Sequence, residues 1–112
     1  MIYYVDIGTL YPGALTSPID YINKQRISAD ILCFNHVFPF ILHDQIELDF
    51  SNCIGYSSSF LEHMSLLIYR FMIKNNIEIS NIYFTSDSDN MLLMELNEYK
   101  FNYVKKYSNY FK

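Results

Sequence analysis

The sequence is short of the residues that most readily announce a chemistry. Its 112 residues include two cysteines, three glycines, and eight lysines and arginines set against twelve aspartates and glutamates. Each shortage excludes something. Cys33 and Cys53 do not form a short metal-type pair, and one potential bridge does little to indicate export, so both read as reduced, buried thiols. A phosphate-cradling loop uses glycine so that several amides can approach the anion, and here Gly55 stands alone. The formal charge of −4 argues against nucleic acid as a partner, because general affinity for phosphate backbones relies on a surplus of basic residues. No run approaches the roughly 18 apolar residues of a spanning helix. The opening MIYYVDIGTLYPG lacks the basic region and long apolar segment of a secretory signal. A cytoplasmic protein with no membrane partner is the expectation.

What is present is enough for one core. A composition of 51% apolar and 18% aromatic residues over this length fits a single domain spanning residues 1–112. IYYVDI, from Ile2 to Ile7, has the β-branched and aromatic content of a strand, and Pro12, Gly13 and Pro18 punctuate the loop after it. The pattern from Pro18 to Ile27 is weak. Ser28 is a natural N-cap for a helix in which Ile31, Phe34, Val37, Phe38 and Ile41 recur near helical spacing. Pro39 lies inside that run, so a kink or break is expected near Asn35 to Phe38. QIELDF alternates Ile46, Leu48 and Phe50 with Glu47 and Asp49, the period of a strand with one buried face. Phe60, Met64, Leu67, Ile68 and Phe71 then define an amphipathic helix that Asn75 and Asn76 stop. A further strand over Asn81 to Thr85, the capping oxygens of SDSDN and a last helix complete the order. That helix carries its acids early and its lysines late, as the helix dipole favours. Strands alternating with helices make an α/β fold, with a mixed, mostly parallel sheet covered by amphipathic helices, the simplest architecture.

The informative stretch is GYSSSFLEH, from Gly55 to His63, where three serines join a strand to a helix. Ser59 and Glu62 have the spacing of a capping box, in which the hydroxyl bonds a first-turn amide and the carboxylate reaches back. Ser57 and Ser58 are not both needed for that task. A serine nucleophile would need a base and its orienting partner; His63 is near in sequence, but the G-x-S-x-G elbow is missing.

ELDFSNCIGYSSSFLEHM resembles the strand-to-helix junction of the STAS domain, the fold of bacterial anti-anti-sigma factors. It is more similar still to the STAS-like family of unknown function, through Asp49, Phe50, Ser51, Ser57, Ser58, Ser59, Phe60 and Glu62. The likeness is strongest over residues 28–84, where Pro39 matches a proline near the end of that family's amphipathic segment. The resemblance implies a small STAS-like domain without catalysis or cofactor, acting as a protein-interaction or regulatory switch module. In the anti-anti-sigma relatives, a serine at the position of Ser58 is phosphorylated by a partner kinase that is also an anti-sigma factor. Ser57 stands where those regulators have aspartate, Phe60 where they have a small glycine, and Asn52 where glycine is usual.

The interaction surface is therefore expected over Asp49, Gly55, Tyr56, Ser57, Ser58, Ser59, Glu62 and His63. Its partner would be a kinase-like ATPase or other regulatory protein, with a homodimer also compatible. The alternative is a phage- or mobile-element-type inhibitor that binds and blocks a host protein. Asp49 can be read as a functional acid at a strand end or as a turn residue bonding nearby amides. Cys33, His36 and His43 are too few for a clear zinc pattern, so a core cysteine with surface histidines is expected and no metal. The tail YKFNYVKKYSNYFK interleaves lysine with aromatics, as expected of a docked terminal helix or a partner contact.

Overall fold

The alternation in QIELDF sets the frame of the molecule. The computed structural model describes residues 1–11, 14–16, 28–87 and 90–107. In it Gln45–Asp49 forms a strand, β2, with Ile46 and Leu48 fully buried. Ile2–Asp6 (β1) and Ile82–Thr85 (β3) pair with it in parallel on either side, giving the order β1-β2-β3. The sheet over the described residues is thus wholly parallel rather than mixed. Paired residues of a parallel ladder share a face, so Tyr3, Ile46 and Ile82 form one row and Val5, Leu48 and Phe84 the next. This is the face that belongs to the core.

The opposite face is less buried. It carries Tyr4, Gln45, Glu47, Asp49, Tyr83 and Thr85, with Tyr4 52% exposed. Parallel sheets are usually covered on both faces, whereas among the described residues the buried core lies on one. Among the described residues the strands lie in chain order, with no point where the strand order reverses, the place where open α/β sheets form their ligand crevice.

Four helices complete the described chain: Ile7–Leu10 (α1), Ala29–His36 (α2), Ser58–Lys74 (α3) and Asn90–Lys106 (α4). Ser28 does precede α2, but its hydroxyl bonds the Asp30 carboxylate instead of a helix amide. The helix ends at His36 and turns follow through His43, so the break falls where Pro39 requires it. Its buried face is Ala29, Leu32 and Cys33, not the expected one, and Phe34 is 65% exposed. The reason is that Val37 and Ile41 reach the core through turns, so they do not continue the helix's phase.

The long helix α3 buries Phe60, Leu61, Met64, Ile68, Tyr69 and Met72, a broader face than the sequence stripe. Phe38 stacks on Phe71 at 4.3 Å, fastening the turns after α2 to it. Asn75 and Asn76 stop it as expected, and the stop has a defined geometry. Asn76 adopts φ 55°, the Ile77 amide donates to the Met72 carbonyl at 2.9 Å, and the Asn76 amide donates to Ile73 at 3.2 Å. Those two bonds are the Schellman pair, and asparagine is the non-glycine residue that best tolerates the left-handed position. Pro12, Gly13, Pro18, the weak segment up to Ile27, Ser88 and Asp89 of SDSDN, and the tail beyond Tyr107 lie outside the described residues. Among the described residues no helix is long and apolar enough to cross a membrane.

Candidate functional site

The serine junction is shaped by a segment far away in sequence. The Leu15 amide donates to the Gly55 carbonyl and the Ser57 amide to the Leu15 carbonyl, both at 2.9 Å, forming a parallel bridge centred on Leu15 and Tyr56. The chain is therefore extended up to Ser57, at φ −113° and ψ 152°, and becomes helical at the next residue. Ser57 is the N-cap: its Oγ accepts from the Phe60 amide at 3.2 Å and donates to the Thr16 carbonyl at 3.1 Å.

The capping box expected from Ser59 and Glu62 is corrected by this geometry. Bridging to Leu15 starts the helix two residues earlier, which places Ser59 inside the first turn with its hydroxyl 3.1 Å from Ser57 Oγ. Glu62 is exposed and lines a cleft instead of reaching back to a cap. The cleft, of about 490 Å³, runs between α3 and α4 and is lined by Ser59, Glu62 and His63 from one helix and Tyr99 and Tyr103 from the other.

Ser58 is the first helical residue, and it is exposed. Its hydroxyl donates to Glu95 Oε1 at 3.1 Å, across to α4. The other carboxylate oxygen accepts from the Tyr99 hydroxyl at 2.8 Å, and that hydroxyl lies 3.5 Å from the Ser58 carbonyl. Partial burial, then the bond to Glu95 and its charge, push the Tyr99 phenol up to about 12. Glu95 and Tyr99 escaped the sequence reading because no local pattern links positions 37 and 41 residues away from Ser58.

Asp49 belongs to a second cluster, at the carboxyl ends of the strands. Its Oδ1 accepts from the Ser51 amide at 2.9 Å and the Ser51 hydroxyl at 2.6 Å, and its Oδ2 accepts from the Tyr4 hydroxyl. Partial burial raises its carboxyl, but the bonds from Ser51, Tyr4 and Thr85 outweigh that effect and hold it below the ordinary carboxylate range. None of these bonds reaches Ser57, Ser58, Ser59 or His63, so the structure does not unite Asp49 with the serines. This is the turn role, in which a carboxylate organises nearby amides.

Asp6, not singled out in the sequence, anchors the same edge. It caps α1 by accepting from the Thr9 amide at 3.2 Å and hydroxyl at 2.9 Å, and it accepts from the Asn52 side chain at 2.9 Å. Its signal was the D-x-x-T spacing after a strand. Gly8, two residues on, makes this packing possible. A Cβ there would fall 2.1 Å from the Asn52 carbonyl carbon, so the backbone after β2 sits where any side chain would stand. Gly55 has ordinary room around it, with Ala14 at 3.7 Å, and contributes its carbonyl to the Leu15 bridge.

The remaining candidates have structural surroundings. Burial pushes the Cys33 thiol up, and burial followed by Asp6 and Asp49 pushes Cys53 up to about 11, so neither presents a thiolate at neutral pH. His36 sits with Nε2 2.7 Å from the Tyr11 hydroxyl and Nδ1 3.4 Å from that of Tyr3, and burial lowers its pKa. His43 is exposed. Among the described residues no three of His, Cys, Asp and Glu are grouped to hold a metal ion. In comparison with known proteins, the chain matches no protein-family model, no curated protein and no solved structure.

Proposed function

We propose that this chain is a non-catalytic protein-interaction module whose surface is switched by phosphorylation of Ser58. The observation that carries the reading is the bond from the exposed Ser58 hydroxyl to Glu95 on another helix. An accessible hydroxyl is what a kinase requires, and this one also joins two elements. A phosphate adds nearly two negative charges at pH 7. Placed on Ser58 it meets the Glu95 carboxylate, so the link between α3 and α4 turns from attractive to repulsive. The amides at the start of α3 offer the phosphate a new home. Two effects then act together: the phosphate settles over α3, and the first half of α4 is pushed away from it. The cleft beside Ser59, Glu62 and His63 changes shape with it, which gives a partner a difference to read. In the resemblance to the anti-anti-sigma STAS domain, Ser58 takes the position of the phosphorylated serine, which supports the same reading.

The test is incubation of the purified protein with a kinase-like ATPase encoded beside it, with the phosphate mapped by mass spectrometry. Modification of Ser58, accompanied by faster amide exchange at residues 90–99, is the expected result. Modification confined to other residues removes the switch. A pull-down that captures a nucleic-acid-handling host complex instead of an ATPase favours the alternative, an inhibitor of mobile-element type.

A further inference from the structure

We propose that the cleft between α3 and α4 receives an arginine side chain presented by a partner protein. One wall is α3, with Glu62, His63 and Leu66, and the other is α4, with Tyr99 and Tyr103. At about 490 Å³ it falls within the roughly 300–1,000 Å³ of ligand-sized clefts, enough for one long side chain and its flanking backbone. Its two ends differ in charge. Toward Tyr103 the positive charge of Arg70 already acts on the tyrosine hydroxyl. Toward Tyr99 the sign is reversed, because Glu95, Glu62 and Glu98 all act on that hydroxyl. The lining itself contains no lysine or arginine. Its carboxylate, Glu62, is exposed and makes no hydrogen bond or ion pair among the described residues.

The chemistry of these walls selects the occupant. Whatever covers Glu62 strips water from a carboxylate, and a positive group is what offsets that loss. An apolar or acidic segment would leave the charge covered and unpaired. A cation lying against tyrosine also gains from the negative face of the ring. The planar guanidinium does both at once, since it stacks on an aromatic ring and forks onto a carboxylate, whereas lysine brings the charge without the plane. Ser59 and Asn102, also in the lining, each donate and accept hydrogen bonds, as the backbone on either side of an arginine requires. The inference rests on the chain being an interaction module and names what its partner presents. It holds with Ser58 unmodified, so the cleft and the switch fail separately.

Titration of the isotope-labelled, unmodified full chain with a capped glycine-arginine-glycine peptide, followed by NMR, tests it. The amide signals of Glu62, His63 and Tyr99 are expected to shift saturably, with a dissociation constant in the millimolar range. Peptides with glutamate or norleucine in place of the arginine are expected to leave those signals still, and the lysine peptide to bind more weakly. Glu62→Gln should weaken the arginine peptide roughly two- to fivefold, the size of an exposed charge contact. Tyr99→Leu should do so by a similar factor through the lost ring face. Glu78→Gln, at an exposed carboxylate outside the cleft, should change nothing. Glu62 is itself exposed, so its variant keeps the fold and the test stands even if Tyr99→Leu does not. The cleft assignment is overturned by the absence of a saturable shift, by shifts confined to residues away from the cleft, or by a Glu62→Gln variant that binds as tightly as the wild type. Equal binding of the lysine, glutamate or norleucine peptide would overturn the choice of arginine.

Discussion

The two long helices have the same length and opposite economies. Both α3 and α4 run for 17 residues. On α3 seven side chains are buried, six of them apolar; on α4 the buried apolar residues are Leu92 and Leu96. The central helix is defined by what surrounds it, whereas the outer helix is held by a narrow stripe, by the partly buried Leu93, Tyr99 and Tyr103, and by polar links to Ser58. Burial is concentrated in the first. Local opening in proteins begins where buried apolar contacts are few, so the proposed phosphate at Ser58 would act on the less buried of the two long helices.

The strongest way to break this contrast is to truncate one residue of each helix. Phe60→Ala should cost about 3–5 kcal/mol in urea unfolding, the usual range for a buried phenylalanine. Met94→Ala should stay within about 0.5 kcal/mol of the wild type, as surface changes do. Equal losses would mean that α4 carries more of the core than its burial indicates. Next in size is the start of α3, where Ser57→Ala should cost about 1 kcal/mol through the lost cap. Ser59→Ala should cost less, because its hydroxyl bonds only another hydroxyl. The reverse order would restore the capping box read from sequence.

A gain is expected at Ser65, whose hydroxyl is buried in α3 without a hydrogen-bond partner among the described residues. Ser65→Ala should stabilise the fold by up to about 1 kcal/mol, seen as a higher melting temperature, by removing an unmet polar group and improving helix propensity. The smallest effect concerns α4 and alkali. Tyr99 is held neutral in the folded chain with a pKa of about 12, against an ordinary 10.0. Since the folded value is the higher one, its contribution is whole below pH 10 and is lost as the pH rises through about 12. Tyr99→Phe should therefore make thermal stability decline less steeply over that window. An unchanged slope would show that the Tyr99–Glu95 bond, one turn apart within α4, adds nothing to stability over that window.

Much of this architecture was legible in the chain. The alternation in QIELDF gave β2 and its buried side, the asparagine pair gave the end of α3, and Pro39 gave the break after α2. The helix start was displaced by two residues because a bridge to Leu15, 42 positions from Ser57, decides where extended backbone ends. No local capping rule contains that contact. The same limit hid Glu95 and Tyr99, which become partners of Ser58 only when α4 is laid beside α3. The less buried side of the sheet was hidden for another reason. IYYVD has no alternation to show which residues meet water, and its register with β2 alone sorts Tyr3 and Val5 from Tyr4.

That three-stranded sheet has a further consequence for how the protein behaves in company. With β2 in the middle, β1 and β3 each leave one margin of amides and carbonyls without a neighbouring strand among the described residues. Such margins can template extra strands from other polypeptides. The brevity of β3, four residues, and the Asp6 carboxylate at the end of β1 are the guards against it. Neutralising those guards would trade solubility for sheet growth.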